Sequence, residues 1–147
     1  MATNKNSSTV DKLIETLRGG EDGFKTAAEK IEDTSIKSRF IEFSSQRHIM
    51  AGELLKYSDN GEADSAGAIF VKAAGVAHRG WIDLKSALGG GDKSILNEAE
   101  RGEDYAVSVY KDALKEPLSP DLTKLLQQQF TTVKATHDKV RSLRDSL

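Results

Sequence analysis

The chain contains no cysteine, which excludes a disulfide framework, a thiolate metal site and a thiol nucleophile. Its two prolines fall together in Pro117-Leu118-Ser119-Pro120, where they turn the chain. No apolar run approaches the ~20 residues that span a bilayer. The polar opening MATNKNSSTV also lacks the apolar stretch of a signal peptide. Neither sign of charge dominates, with 21 Lys and Arg against 23 Asp and Glu, so there is no electrostatic footprint for nucleic acid. No segment alternates with the period of a strand. The expectation is a cytoplasmic all-α protein without a membrane span. Residues 1–7 read as a disordered leader and 8–147 as a single domain long enough to bury a core.

Helix signals follow one another along the chain. Ser8 or Thr9 can cap a first helix to about Ile31, with Asp11 in its first turn. Gly19-Gly20 inside it predicts a bend or the close approach of another backbone. Asp33-Thr34 makes a tight connection and cap for a second helix from Ser35 to about Ser58, and the short connection makes the two an antiparallel hairpin. After the break at residues 59–64 a third helix is expected from Ser65 to Leu88, with Trp81 on its apolar line. Gly89-Gly90-Gly91 ends it, and Asp92 can cap a fourth helix to about Lys115. The glycine run lacks the Lys-Ser/Thr of a phosphate loop and follows a helix, so it reads as a turn. Ser119 with Pro120 then starts a last helix, whose inner line is Leu122, Leu126, Gln129, Val133, Thr136, Val140 and Leu143.

What is present in unusual form is a repeated phrase. Gly20-Glu21-Asp22 recurs as Gly102-Glu103-Asp104. In each copy the glutamate falls on an apolar stripe: Val10, Leu13, Leu17, Glu21, Phe24, Ala28, Ile31 in the first, and Leu96, Ala99, Glu103, Ala106, Tyr110, Ala113 in the second. A buried carboxylate needs a partner, a metal or a proton, because burying it alone is very costly. Superposing the copies also brings Gln46 onto Gln129. The chain thus reads as two similar helical hairpins, with the third helix in the long connection.

The stretches GGEDGF, HRGWIDLKSALGGGD, EAERGEDYAV and VKATHDKVRSLRD resemble an uncharacterised bacterial family of ferritin-like four-helix-bundle proteins, a domain of unknown function. The resemblance covers nearly all of the chain after the leader. It implies a bundle of two antiparallel hairpins joined by a long crossover that carries an extra helix. The expectation is a non-enzymatic binding or structural protein, stress- or envelope-associated by loose analogy with relatives, forming homo-oligomers as such bundles commonly do, with no partner protein indicated. Di-iron members of the wider fold place one Glu on each of two helices and Glu-x-x-His on each of the other two. Here Glu21 and Glu103 match the single carboxylates. The paired positions hold Gln46 with Ile49 and Gln129 with Thr132, and Glu-x-x-His is absent from the chain.

Two readings of the four polar residues stand side by side. In one, Glu21, Glu103, Gln46 and Gln129 hold an iron or manganese ion. In the other, the two glutamines donate to the two glutamates in a structural cluster, with Arg47 as counter-ion. No catalytic residue is assigned. His48 and His78 flank their stripes, and His137 can reach the core. Trp81 reads as a core anchor, or as a binding surface if the third helix lies outside the bundle.

Overall fold

The structure, a computed structural model, describes residues 6–59 and 80–147. Within them there are helices and no strands. Helix α1 is Ser7–Lys30 and α2 is Thr34–Leu54, followed by a 3₁₀ turn at Leu55–Tyr57. A short helix α3 (Leu84–Ala87) precedes α4 (Asp92–Ala113) and α5 (Pro120–Asp145). The expected helix from Ser65 lies mostly outside the described residues. The described part corrects its end: helix gives way to a turn at Trp81–Asp83 before α3 resumes.

Local signals account for most boundaries. Asp33 accepts the Ile36 N–H at 3.0 Å and Ser119 accepts the Leu122 N–H at 3.3 Å, side-chain caps that satisfy donors with no partner inside the helix. Two expected caps fall elsewhere. Asn6 stands at the start of α1 in place of Ser8 or Thr9, and its amide donates to the Pro117 carbonyl at 3.4 Å. Asp92 lies inside α4, after Gly91 with its positive φ of 86°. Its carboxylate accepts the Glu32 and Asp33 N–H groups at 2.8 and 3.0 Å. The residue expected to cap its own helix therefore ties α4 to the turn between α1 and α2.

The packing is that of two hairpins. The most extensive contacts join α1 to α2 and α4 to α5; α1 also packs on α4, while α2 and α5 touch little. The apolar core is divided. One cluster gathers Leu13, Leu17, Leu54, Tyr110, Leu122 and Leu126; the other gathers Phe24, Phe40, Trp81, Ile95, Leu96 and Val140. Between them in sequence, on every long helix, come the polar residues near Glu21, Arg47, Glu103 and His137.

Glycines explain how large groups enter this layer. α1 runs through Gly19-Gly20 as continuous helix, and what comes close is side chain, not the backbone anticipated. A Cβ on Gly20 would lie 3.2 Å from the Arg47 guanidinium. Trp81 is buried, as expected of a core anchor, and its ring occupies a slot between two helices. A Cβ on Gly23 of α1 would meet that ring at 2.6 Å and one on Gly102 of α4 at 2.4 Å. The ring also stands edge-on to Phe24, centroids 5.0 Å apart. The mid-helix glycines thus offset their cost of ~1 kcal/mol each in helix propensity by seating an indole.

The slot makes a sharp expectation. Gly102→Ala and Gly23→Ala should each destabilise the protein by about 1–3 kcal/mol through overpacking. In a Trp81→Leu background, Gly102→Ala should cost much less, read as a non-additive cycle in urea denaturation.

Candidate functional site

The polar layer is centred on one ion pair. Arg47 of α2 and Glu103 of α4 are both fully buried and meet through two parallel hydrogen bonds. Arg47 Nη1 donates to Glu103 Oε1 at 2.8 Å, and Nη2 donates to Oε2. The guanidinium lies against Gly20 and over the Phe24 ring, 5.5 Å from its centroid, a cation–π arrangement. Arginine suits this place because its planar fork matches a carboxylate and stays charged when desolvated. Its Nε is buried with no hydrogen-bond partner among the described residues.

The four residues singled out by the repeat have separate partners. Glu103 is bound to Arg47 as described. Gln129 is buried on α5, where its Oε1 accepts the Tyr110 hydroxyl at 2.8 Å. Its Nε2 donates to the Met50 carbonyl at 3.1 Å and to Glu53 at 2.9 Å. Gln46 is half-buried and accepts from the Thr136 hydroxyl at 3.3 Å. Glu21 departs from its expected burial: about a quarter of its side chain (27%) is exposed. Arg18 Nη1 lies 2.9 Å from Glu21 Oε1 and 2.8 Å from His48 Nδ1, and that same histidine nitrogen lies 3.1 Å from Glu21 Oε2. The glutamine-to-glutamate bonds anticipated between these residues are replaced by these contacts, while Arg47 does serve as counter-ion to Glu103. The two copies of Gly-Glu-Asp differ in the partner each glutamate meets. Glu103 meets Arg47 inside the bundle, whereas Glu21 meets Arg18 and His48 at the rim, although Ile14, Leu17 and Ala28 on the same face of α1 are buried.

The chain belongs to the DUF2383 family of domains of unknown function. The match spans residues 5–116. Glu21, Gln46, Arg47, Trp81 and Glu103 therefore lie in the DUF2383 region. Gln129, His137 and the stretch VKATHDKVRSLRD lie beyond it, so the match is shorter than the resemblance drawn from sequence. No curated protein matches the chain.

The partners of His137, Glu100 and Glu98 escaped the sequence reading, which has only His137 reaching the core. His137 is buried at the α4–α5 contact, with Nε2 2.6 Å from Asp104 Oδ1 and Nδ1 3.0 Å from Asp138 Oδ1. The hydrogen bond from His137 holds the Asp138 carboxyl below its ordinary value. The nearby Glu100 takes Arg141 at 3.1 Å and also pairs with Arg144. Glu98 is buried on α4 and accepts the Asp83 N–H at 2.7 Å, which holds the turn after Trp81. Burial raises the Glu98 pKa, against the lowering effects of the Asp83 N–H and Arg101. Position gave a faint signal for Glu98, which is five residues before Glu103 in a charged run; the partner on a distant turn gave none. His78 lies outside the described residues. Among the described residues no group of three or more His, Asp or Glu side chains is placed to hold a metal ion.

Two measurements follow from these contacts. Arg47→Met should cost about 3–5 kcal/mol, because Glu103 is left charged and buried, and adding Glu103→Leu should recover much of the loss. For Glu98 the sign runs the other way from a stabilising ion pair. A raised folded-state pKa makes its contribution most favourable below the ordinary value of 4.5 and less so as pH rises through the folded value. Glu98→Gln keeps an oxygen for the Asp83 N–H. Its stability relative to wild type, from denaturation curves between pH 4 and neutrality, should therefore improve with rising pH.

Proposed function

We propose that this protein is a ferritin-like helical bundle serving as a binding or structural protein, in which a guanidinium neutralises the core carboxylate. The bidentate, fully buried Arg47–Glu103 pair carries this reading. In metal-holding members of that fold, core carboxylates are balanced by bound cations. Here both Glu103 oxygens are taken by Arg47, and the amide of Gln129 is committed to Glu53 and the Met50 carbonyl. Glu21 is engaged at the surface by Arg18 and His48. The polar layer then works as an internal fastener, and recognition falls to the outer helix faces.

The competing use of Glu21, Glu103, Gln46 and Gln129 as ligands for iron or manganese requires the Arg47 pair to open. Elemental analysis of untagged protein separates the two. The fastener reading expects substoichiometric iron and manganese, and a melting temperature unmoved by chelator or by adding either ion back. Stoichiometric metal that stabilises wild type and is lost in Glu21→Ala/Glu103→Ala would overturn it. The chelator and add-back arms use wild type alone, so they decide the matter even if the double variant does not fold.

A further inference from the structure

The outer face of α2 carries two exposed isoleucines on an uncharged line. Thr34, Ser38, Ile41, Ser45, Ile49 and Gly52 are all exposed and share one line of the helix. Ile41 is 52% exposed and Ile49 63%. None of the six is charged, although charged residues make up 30% of the chain. Depletion of charge around exposed apolar side chains marks the centre of a protein interface. Clefts flank the line on both sides, about 800 Å³ toward α1 and about 600 Å³ toward α5, and Ile41, Ser45 and Ile49 line both. The stripe is thus a ridge between two grooves, a shape that another copy of itself can fill.

The flanking charges choose the orientation. Lys37 and His48 line the cleft toward α1, together with Lys25, Glu21 and Glu29. Glu21 is already engaged by Arg18 and His48. Glu42 and Glu53 line the cleft toward α5, which has no cation among its lining residues. If two α2 helices lie antiparallel about a perpendicular two-fold axis, like flank meets like flank and acid faces acid. If they lie parallel about an axis along the helices, the flank that carries Lys37 and His48 in each copy meets the acidic flank of the other. Lys37 and Glu42 are five residues apart, as are His48 and Glu53. That offset, about 7.5 Å along the axis, suits charged side chains reaching across a parallel helix pair.

We propose that α2 is a homodimer interface, with two copies packed side by side and parallel. Ile41 enters the α2–α5 groove of the second copy and Ile49 enters its α1–α2 groove. Lys37 and His48 face Glu42 and Glu53 of the second copy. The arrangement is isologous and leaves no unpaired copy of the stripe.

The absence of native cysteine allows a clean test on the full chain. Sedimentation equilibrium should show a dimer. Ile49→Glu should weaken association by more than about a hundredfold, while leaving the melting temperature of the monomer unchanged. In oxidative cross-linking, Ile41→Cys and Ile49→Cys should each link to themselves in the parallel dimer. Linking only when the two variants are mixed would mean an antiparallel pair and would overturn the proposal. Lys37→Glu should weaken the dimer by about tenfold or more, and adding Glu42→Lys should restore it. A wild-type chain that stays monomeric up to its solubility limit, or a dimer indifferent to Ile49→Glu, would also overturn it.

Discussion

A guanidinium enclosed among apolar side chains imposes conditions on everything around it. Arg47 must find a carboxylate of matching width, a neighbouring backbone without a side chain, and an aromatic face. Glu103, Gly20 and Phe24 meet those needs from two other helices. The pair joins α2 of one hairpin to α4 of the other, although the hairpins touch mainly through α1 and α4. An enclosed ion pair contributes little net stability once both charges have left water. Its geometry nonetheless penalises sliding of one hairpin along the other, because any shift leaves a desolvated charge unmatched. Register, more than strength, is what this contact supplies.

Trp81 complements it from the connection between the hairpins. Its ring fills the slot over Gly23 and Gly102, and the turn that follows is held by Glu98 through the Asp83 N–H. The end of a long crossover is thereby anchored to α1 and α4 at the level of the ion pair. Gly80, just before it, lies close enough to α4 that a Cβ there would sit 3.6 Å from the Gly102 Cα. The repeated Gly-Glu phrase serves two purposes in the two hairpins. The second copy makes both the slot and the ion pair, whereas the first makes space for Arg47 and sends its glutamate to the rim.

This division of labour bears on function. Inside the bundle, the polar side chains largely satisfy one another: Arg47 with Glu103, Gln129 with Tyr110 and Glu53, His137 with Asp104 and Asp138. On the outside, α2 presents exposed isoleucines along an uncharged line bordered by two clefts, one lined by Lys25, Lys37 and His48 together with Glu21 and Glu29, the other by Glu42 and Glu53. The interior is therefore built for cohesion and the α2 face for contact. No helix among the described residues is long and apolar enough to cross a membrane.

The amino-acid sequence alone determined the helical class, the ends of most long helices and the identity of the core lines. These depend on neighbours within a few residues: the 3.6-residue recurrence of apolar side chains, Asp33 and Ser119 as caps, and Gly91 and Pro120 at turns. It also marked Gly20-Glu21 and Gly102-Glu103 as unusual, since a glutamate on an apolar stripe is legible without coordinates. Partnership was decided by tertiary structure. Glu21 and Glu103 occupy matching places in matching phrases, yet one reaches solvent and the other does not. The difference lies in the partner each meets, Arg47 for Glu103 and Arg18 with His48 for Glu21. Asp92, by position a cap for its own helix, instead holds the turn between α1 and α2. Periodicity specifies which side of a helix is apolar to within a residue or so; whether a polar residue on that side is buried depends on what packs there, and at Glu103 that is Arg47.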